Sequence, residues 1–226
     1  MDASVVMIGA TGAVGGQVCE VLRQSTRLER LTLLGRRRAD GFGEDDRVHQ
    51  HVVADLTKPE TYRSRVAGHE VAICTLGVGE PSKVSKEEFK RIDHDMVLAF
   101  ASACASQGVR HFQLLSSVGV TTSSASHYLR TKGELEESLR GLGFDRLSLF
   151  HPSMILTPTN RYGVTQGITL RAWPWLTPVL QWGLRRFRGV RVEDLGRSIA
   201  LNVFTKSAAA VEILEWDDFQ QLAAGG

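Results

Sequence analysis

The chain has 226 residues, 42% hydrophobic and 23% charged, a size that buries a core without disulfide or metal staples. Its 27 basic and 25 acidic side chains leave a formal charge of +2, so no global field favours nucleic acid or an acidic partner. Three cysteines, Cys19, Cys74 and Cys104, are odd in number, far apart and set in apolar stretches; they read as buried thiols in a reducing compartment.

Short β-branched runs alternate with longer segments of helical period, the pattern of a parallel sheet covered on both faces, hence an α/β doubly wound fold. Ser4 to Ile8 is the first predicted strand, preceded by no charged n-region, apolar h-region or cleavage site. No apolar stretch is long enough to span a bilayer, and the expected location is the cytoplasm. A helix after Gly12 carries Val14, Val18, Val21 and Leu22 at helical spacing. The second, third and fourth predicted strands are Leu31 to Leu34, His51 to Ala54 and Val71 to Thr75. A long helix from about Ser85 places Phe89, Ile92, Met96, Val97, Phe100 and Ala101 on one side and stops at Gly108. Phe112 to Leu115 is the fifth strand, a helix around Tyr128 runs to Leu139, and Arg146 to Phe150 is the sixth strand.

Beyond Ile155, prolines scatter among aromatic and arginine residues and the alternation weakens. Val190 to Val192 reads as a short strand, Asp194 as the N-cap of a helix through Phe204, and Val211 to Leu214 as a last strand. The expectation is one domain, with a dinucleotide-binding core over 1–157 and a small substrate-side lobe over 158–226.

Gly9-Ala-Thr-Gly12-Ala-Val-Gly15 forms a strand-to-helix turn, where closely approaching backbone and a helix N-terminus suit a pyrophosphate. The spacing is GxxGxxG, and a turn that only permits close helix packing is the alternative. Gly9, Thr11, Gly12, Ala13, Val14 and Gly15 are the candidate cofactor contacts. An acidic residue ~20 or more positions past such glycines would bind the ribose hydroxyls of NAD. Gly35-Arg36-Arg37-Arg38 stands there instead, so Arg36 and Arg37 favour the 2′-phosphate of NADP(H) over NAD(H); a solvated arginine loop is the competing reading. Asp55 ends the third strand and is placed either on the adenine amino group or in a local turn. Leu76 and Gly77 follow the fourth strand at the carboxyl edge of the sheet.

Tyr128 and Lys132 lie four apart on one helix face. A lysine ammonium near a phenol lowers the phenol's pKa from ~10 toward the range of a general acid or base. Ser116 or Ser117 would hydrogen-bond a substrate carbonyl. Out of context, a tyrosine and a lysine at this spacing form a solvated face; the glycine turn and the serines tip the reading to chemistry.

These segments, with Leu34-Gly35-Arg36-Arg37, Cys74-Thr-Leu76-Gly77, His111-Phe-Gln-Leu-Leu-Ser116-Ser117 and Tyr128-Leu-Arg-Thr-Lys132-Gly-Glu, resemble the short-chain dehydrogenase/reductases. The nearest branch is the atypical one of the Tat-interacting oxidoreductase and its bacterial relatives. The resemblance covers residues 1 to about 160. It implies a Rossmann-type domain, Tyr128 as acid/base, Lys132 on the nicotinamide ribose, Ser117 in preference to Ser116 on the substrate, and Ile155 near the nicotinamide. Two departures stand out: Asp93 replaces the asparagine of a proton relay, and His151-Pro152 replaces an Arg-Pro.

From Arg161 to Arg191 there are six arginines and no acidic residue, interleaved with Trp173, Trp175, Trp182 and Phe187. A lid combined with a homodimer interface ranks first, ahead of peripheral contact with an anionic membrane and a plain packed lobe; nucleic acid fits poorly. His49 and His51 share a strand face, but no further ligand lies at metal spacing, so no metal site is assigned. The expected function is an NADP(H)-dependent oxidoreductase of a small carbonyl or alcohol substrate. The rival is a cofactor-binding regulatory or interaction module without turnover.

Overall fold

The computed structural model describes residues 2–42, 45–157 and 182–225. Seven strands, β1 (Ala3–Ile8), β2 (Leu28–Gly35), β3 (Val48–Val52), β4 (Val71–Cys74), β5 (His111–Leu115), β6 (Arg146–Phe150) and β9 (Val211–Leu214), form one sheet. Their order is β3-β2-β1-β4-β5-β6-β9 and every pairing is parallel. The order reverses at β1, between β2 and β4, which opens a crevice at the carboxyl ends of the strands, as in a Rossmann fold. Two further strands, β7 (Ile155–Leu156) and β8 (Val190–Arg191), pair with each other nearby.

Central strands β1 and β4 are buried along their whole length, as a sheet covered on both faces requires. On one face lie α1 (Ala13–Gln24), α6 (Val192–Asn202) and α7 (Trp216–Ala224), meeting the sheet through Val14, Val18, Leu22, Leu195, Ile199 and Phe219. The other face carries α2 (Arg63–Val66), α4 (Met96–Ser106) and α5 (His127–Arg140), with Val66, Met96, Phe100, Leu135 and Leu139 in its core. Helix α3 (Lys86–Lys90) starts at Ser85, whose side chain accepts from the Glu88 amide, and reaches α4 through a π-helical turn over Arg91–Asp95.

Two expectations are revised. The third strand lies three residues before the expected His51 to Ala54, because Leu31 pairs with Val48 and Gly35 with Val52. Helix α6 begins at Val192, with Asp194 in its first turn and Arg191 as N-cap. In the described part of 158–226, β9 pairs with β6 and α6 packs on α1.

Candidate active site

The turn after β1 is shaped by close backbone contact. Gly9 has φ +91°, and a Cβ there would lie 2.5 Å from the backbone of Thr75 and Leu76. A Cβ on Gly15 would collide with the Gly9 carbonyl, so both positions need glycine. Helix α1 then starts with Gly12 as N-cap, with no side-chain cap and no acidic residue in the first turn. Its first amides and dipole are left to an anion.

Three adjoining cavities surround this turn. One of 530 Å³ is lined by Gly9, Thr11, Arg36, Arg37, Arg38, Arg91 and Leu76, among others. A second, of 570 Å³, runs along Thr11, Gly12, Ala13, Arg37 and Arg38. The third, of 270 Å³, brings Gly12, Ala13, Val14, Leu76, Gly77 and Ile155 together with Asp93, Ser116, Tyr128 and Lys132. Shared walls at Thr11, Gly12, Ala13 and Leu76 join them into one groove. Asp55 sits beside it: one carboxylate oxygen accepts from the Thr57 amide and hydroxyl, and the other lies 3.5 Å from Arg91.

At the far end α5 places Tyr128 and Lys132 on the cavity wall. Tyr128 packs against Phe89, ring centres 5.6 Å apart, and the Lys132 ammonium lies 5.6 Å from the Tyr128 ring centre. Lys132 is buried and its Nζ is 3.1 Å from Asp93 Oδ1. Burial opposes the charge, but Tyr128 and Asp93 outweigh it and the lysine pKa is raised. Neighbouring Cys74 is a neutral thiol, pushed up to about 12 by burial.

Of the two serines, Ser116 lines this cavity, while Ser117 is half-buried and is not among its lining residues. The Ser116 hydroxyl donates to Glu136 Oε1 in a short hydrogen bond, and the same oxygen lies 2.8 Å from His151 Nε2. Ser116, Glu136 and His151 are all buried. Glu136 was not among the expected site residues, although it continues the i, i+4 series of Tyr128 and Lys132. Nor was Arg91, one helical turn from Glu88.

Arg161, Arg171, Trp173 and Trp175 lie outside the described residues. In the described remainder of that segment, Arg185 pairs with Asp217 at 2.7 Å, and the Arg185 and Arg188 guanidiniums lie over Trp216 of α7.

A family model described as NAD(P)H-binding matches residues 9–171. The protein HTATIP2 of Rattus norvegicus is 38% identical over 155 residues, 68% of this chain and 63% of its own length; the chain thus matches less than two thirds of that relative. Protein FMP52, mitochondrial, of Debaryomyces hansenii is 33% identical over 73% of this chain and 71% of its own. Among solved structures, yeast methylglyoxal/isovaleraldehyde reductase Gre2 complexed with NADPH matches with TM-score 0.70 and 12% identity, covering 94% of this chain and 78% of that one. MoeE5 in complex with UDP-glucose and NAD matches with TM-score 0.70 and 16% identity, covering 98% and 81%. At such identities the two structures establish the fold alone. The expected cytoplasmic location is overturned, since several fungal relatives are named as mitochondrial proteins.

Proposed function

Because the chain belongs to the NAD(P)H-binding family, we propose that it is an NADP(H)-dependent oxidoreductase that interconverts a small carbonyl and its alcohol, with Tyr128 as the acid/base. The observation that carries this reading is the groove itself. Its walls hold a glycine turn with open helix amides in the middle, guanidiniums at one end and a phenol beside a buried ammonium at the other. The residues present fit a dinucleotide, since the turn is cleared of side chains where a pyrophosphate would pass. Arg36 and Arg37 are suited to a 2′-phosphate by charge-assisted hydrogen bonds.

The bound nicotinamide supplies or accepts the hydride. Lys132 orients the ribose by hydrogen bonding, and Tyr128 passes the proton to or from the substrate oxygen. Ser116 has a single proton and gives it to Glu136, so toward the cavity it offers lone pairs and recognises a donor. Carbonyl polarisation then falls to Ser117, in keeping with the extended-family pattern. The chain's match to only part of HTATIP2 makes the activity of the whole protein part of this proposal.

The test is a fluorescence titration with NADPH and NADH, followed by NADPH turnover on a panel of small carbonyls in wild type and Tyr128→Phe. Tighter NADPH binding and turnover that vanishes in the variant while binding survives are the expected results. A variant as fast as wild type refutes the role of Tyr128. Tight NADPH binding without turnover of any carbonyl favours the regulatory module.

A further inference from the structure

Asp93 is 1% exposed and sits in the π-helical turn between α3 and α4. Its Oδ1 lies 3.1 Å from Lys132 Nζ and its Oδ2 accepts the Val78 amide at 2.8 Å. Both oxygens face donors, and one of them is turned to the ammonium. The π-helical turn is what aims it: an extra residue in the helix re-points the side chain toward α5, at a place where such turns recur in functional sites.

An ammonium with its counter-charge at contact projects only a residual field beyond the pair. Tyr128, whose ring centre is 5.6 Å from Nζ, is the group that would feel the full charge. Among the described residues, the further titratable group acting on Lys132 is Cys74, which is neutral. A phenolate at Tyr128 would therefore face a cation whose field is reduced by the carboxylate 3.1 Å from it, instead of a bare lysine.

We propose that Asp93 is a positioning residue that offsets the Lys132 charge, keeps the phenolic proton on Tyr128 and sets the site to work as a general acid, in the direction of carbonyl reduction. The proposal rests on the reading of Tyr128 and Lys132 as the proton-handling pair. In that direction the carbonyl carbon receives hydride from the reduced dinucleotide and the C=O π pair moves onto oxygen. The Tyr128 proton then passes to that oxygen, and the phenolate is reprotonated from water. In the opposite direction the site would need the phenolate at the outset, which the carboxylate disfavours.

Asp93→Asn keeps an oxygen for the Val78 amide and removes the charge. With [13Cζ]tyrosine the chain has three reporters, Tyr62, Tyr128 and Tyr162, and Tyr128→Phe identifies the one that matters. In Asp93→Asn the Tyr128 resonance is expected to titrate about one pH unit lower than in wild type, and Asp93→Glu to restore the wild-type midpoint. The alkaline limb of carbonyl reduction should fall by the same amount, and alcohol oxidation relative to reduction near pH 7 should rise roughly tenfold. Asp93→Ser, also neutral, gives the same readings if the amide variant does not fold. A Tyr128 titration that stays put in a folded neutral variant overturns the proposal, whether or not any carbonyl is turned over. Absence of turnover in wild type strikes only the enzyme reading, because the resonance reports on Asp93 without catalysis.

Discussion

The two ends of the groove are built on opposite principles. At the arginine end, Arg36, Arg37 and Arg38 stand exposed on the loop after β2, and Arg91 shares its charge with Asp55 and Glu88 across 3.5 and 3.6 Å. At the Tyr128 end, among the described residues, Lys132 is buried on Asp93, and His151 and Ser116 are buried on Glu136. Exposed cations select a ligand by field and hydrogen bonding, are screened by salt, and contribute little to the fold. Buried pairs fix geometry, and losing one partner leaves the other desolvated and unsatisfied. Substitutions at the first end should therefore alter affinity without touching stability, whereas at the second they should alter rate, stability or both.

The largest expected effect is on rate. Tyr128→Phe should lower carbonyl turnover by about 10³-fold and leave the NADPH dissociation constant within about twofold of wild type, as measured by stopped-flow and fluorescence titration. Next comes Glu136→Ala, which strips the acceptor from two buried donors at once; a loss of about 3 kcal/mol in urea unfolding is expected. A loss below about 0.5 kcal/mol would mean that the network is solvated and the contrast between the two ends is false. The Arg36→Ala, Arg37→Ala double variant should weaken NADPH binding about tenfold or more, leave NADH binding unchanged and flatten the salt dependence of NADPH affinity. Equal weakening of both cofactors would show that the arginines do not read the 2′-phosphate.

A smaller, pH-dependent effect belongs to the sheet edge away from the groove. His111 is buried against Ser148, 2.7 Å from its hydroxyl. Burial, aided by Arg146 and only partly opposed by Glu212, depresses its pKa from 6.5 to about 3. Between those values the unfolded chain holds the extra proton, so the stability owed to neutral His111 is full above about pH 6.5 and drains away as the pH falls toward 3. Thermal unfolding between pH 7 and pH 4 should show this slope, and His111→Gln should flatten it. An identical slope in the variant would assign the acid sensitivity to carboxylates.

Much of the fold was legible because a doubly covered parallel sheet writes itself in β-branched runs: β1, β4, β5 and β6 fall on or within a residue of the segments picked out by pattern. The edge strand was less legible. Val48 to Val52 is half-buried to exposed, with three consecutive polar residues at its centre, and its register is fixed by β2 pairing that no local pattern reveals. Helix α7 went unnoticed although Glu215 and Asp218 form a capping box at its start, a signal that reading for serine or threonine caps passes over. At the site, spacing along one helix led to Tyr128 and Lys132. Asp93 was visible only as a departure from a pattern, because its partnership with Lys132 joins two helices far apart in sequence and depends on a π-helical turn with no sequence signature. The choice between Ser116 and Ser117 likewise turned on a contact with Glu136 that local sequence does not encode.

The most direct test of the account is a crystal structure of the protein with NADPH. The account predicts the 2′-phosphate on Arg36 and Arg37, the pyrophosphate over the amides of Ala13 and Val14, and the nicotinamide in the cavity of Tyr128, Lys132 and Ile155. A dinucleotide bound with its nicotinamide away from Tyr128, or seated outside this groove, would contradict it.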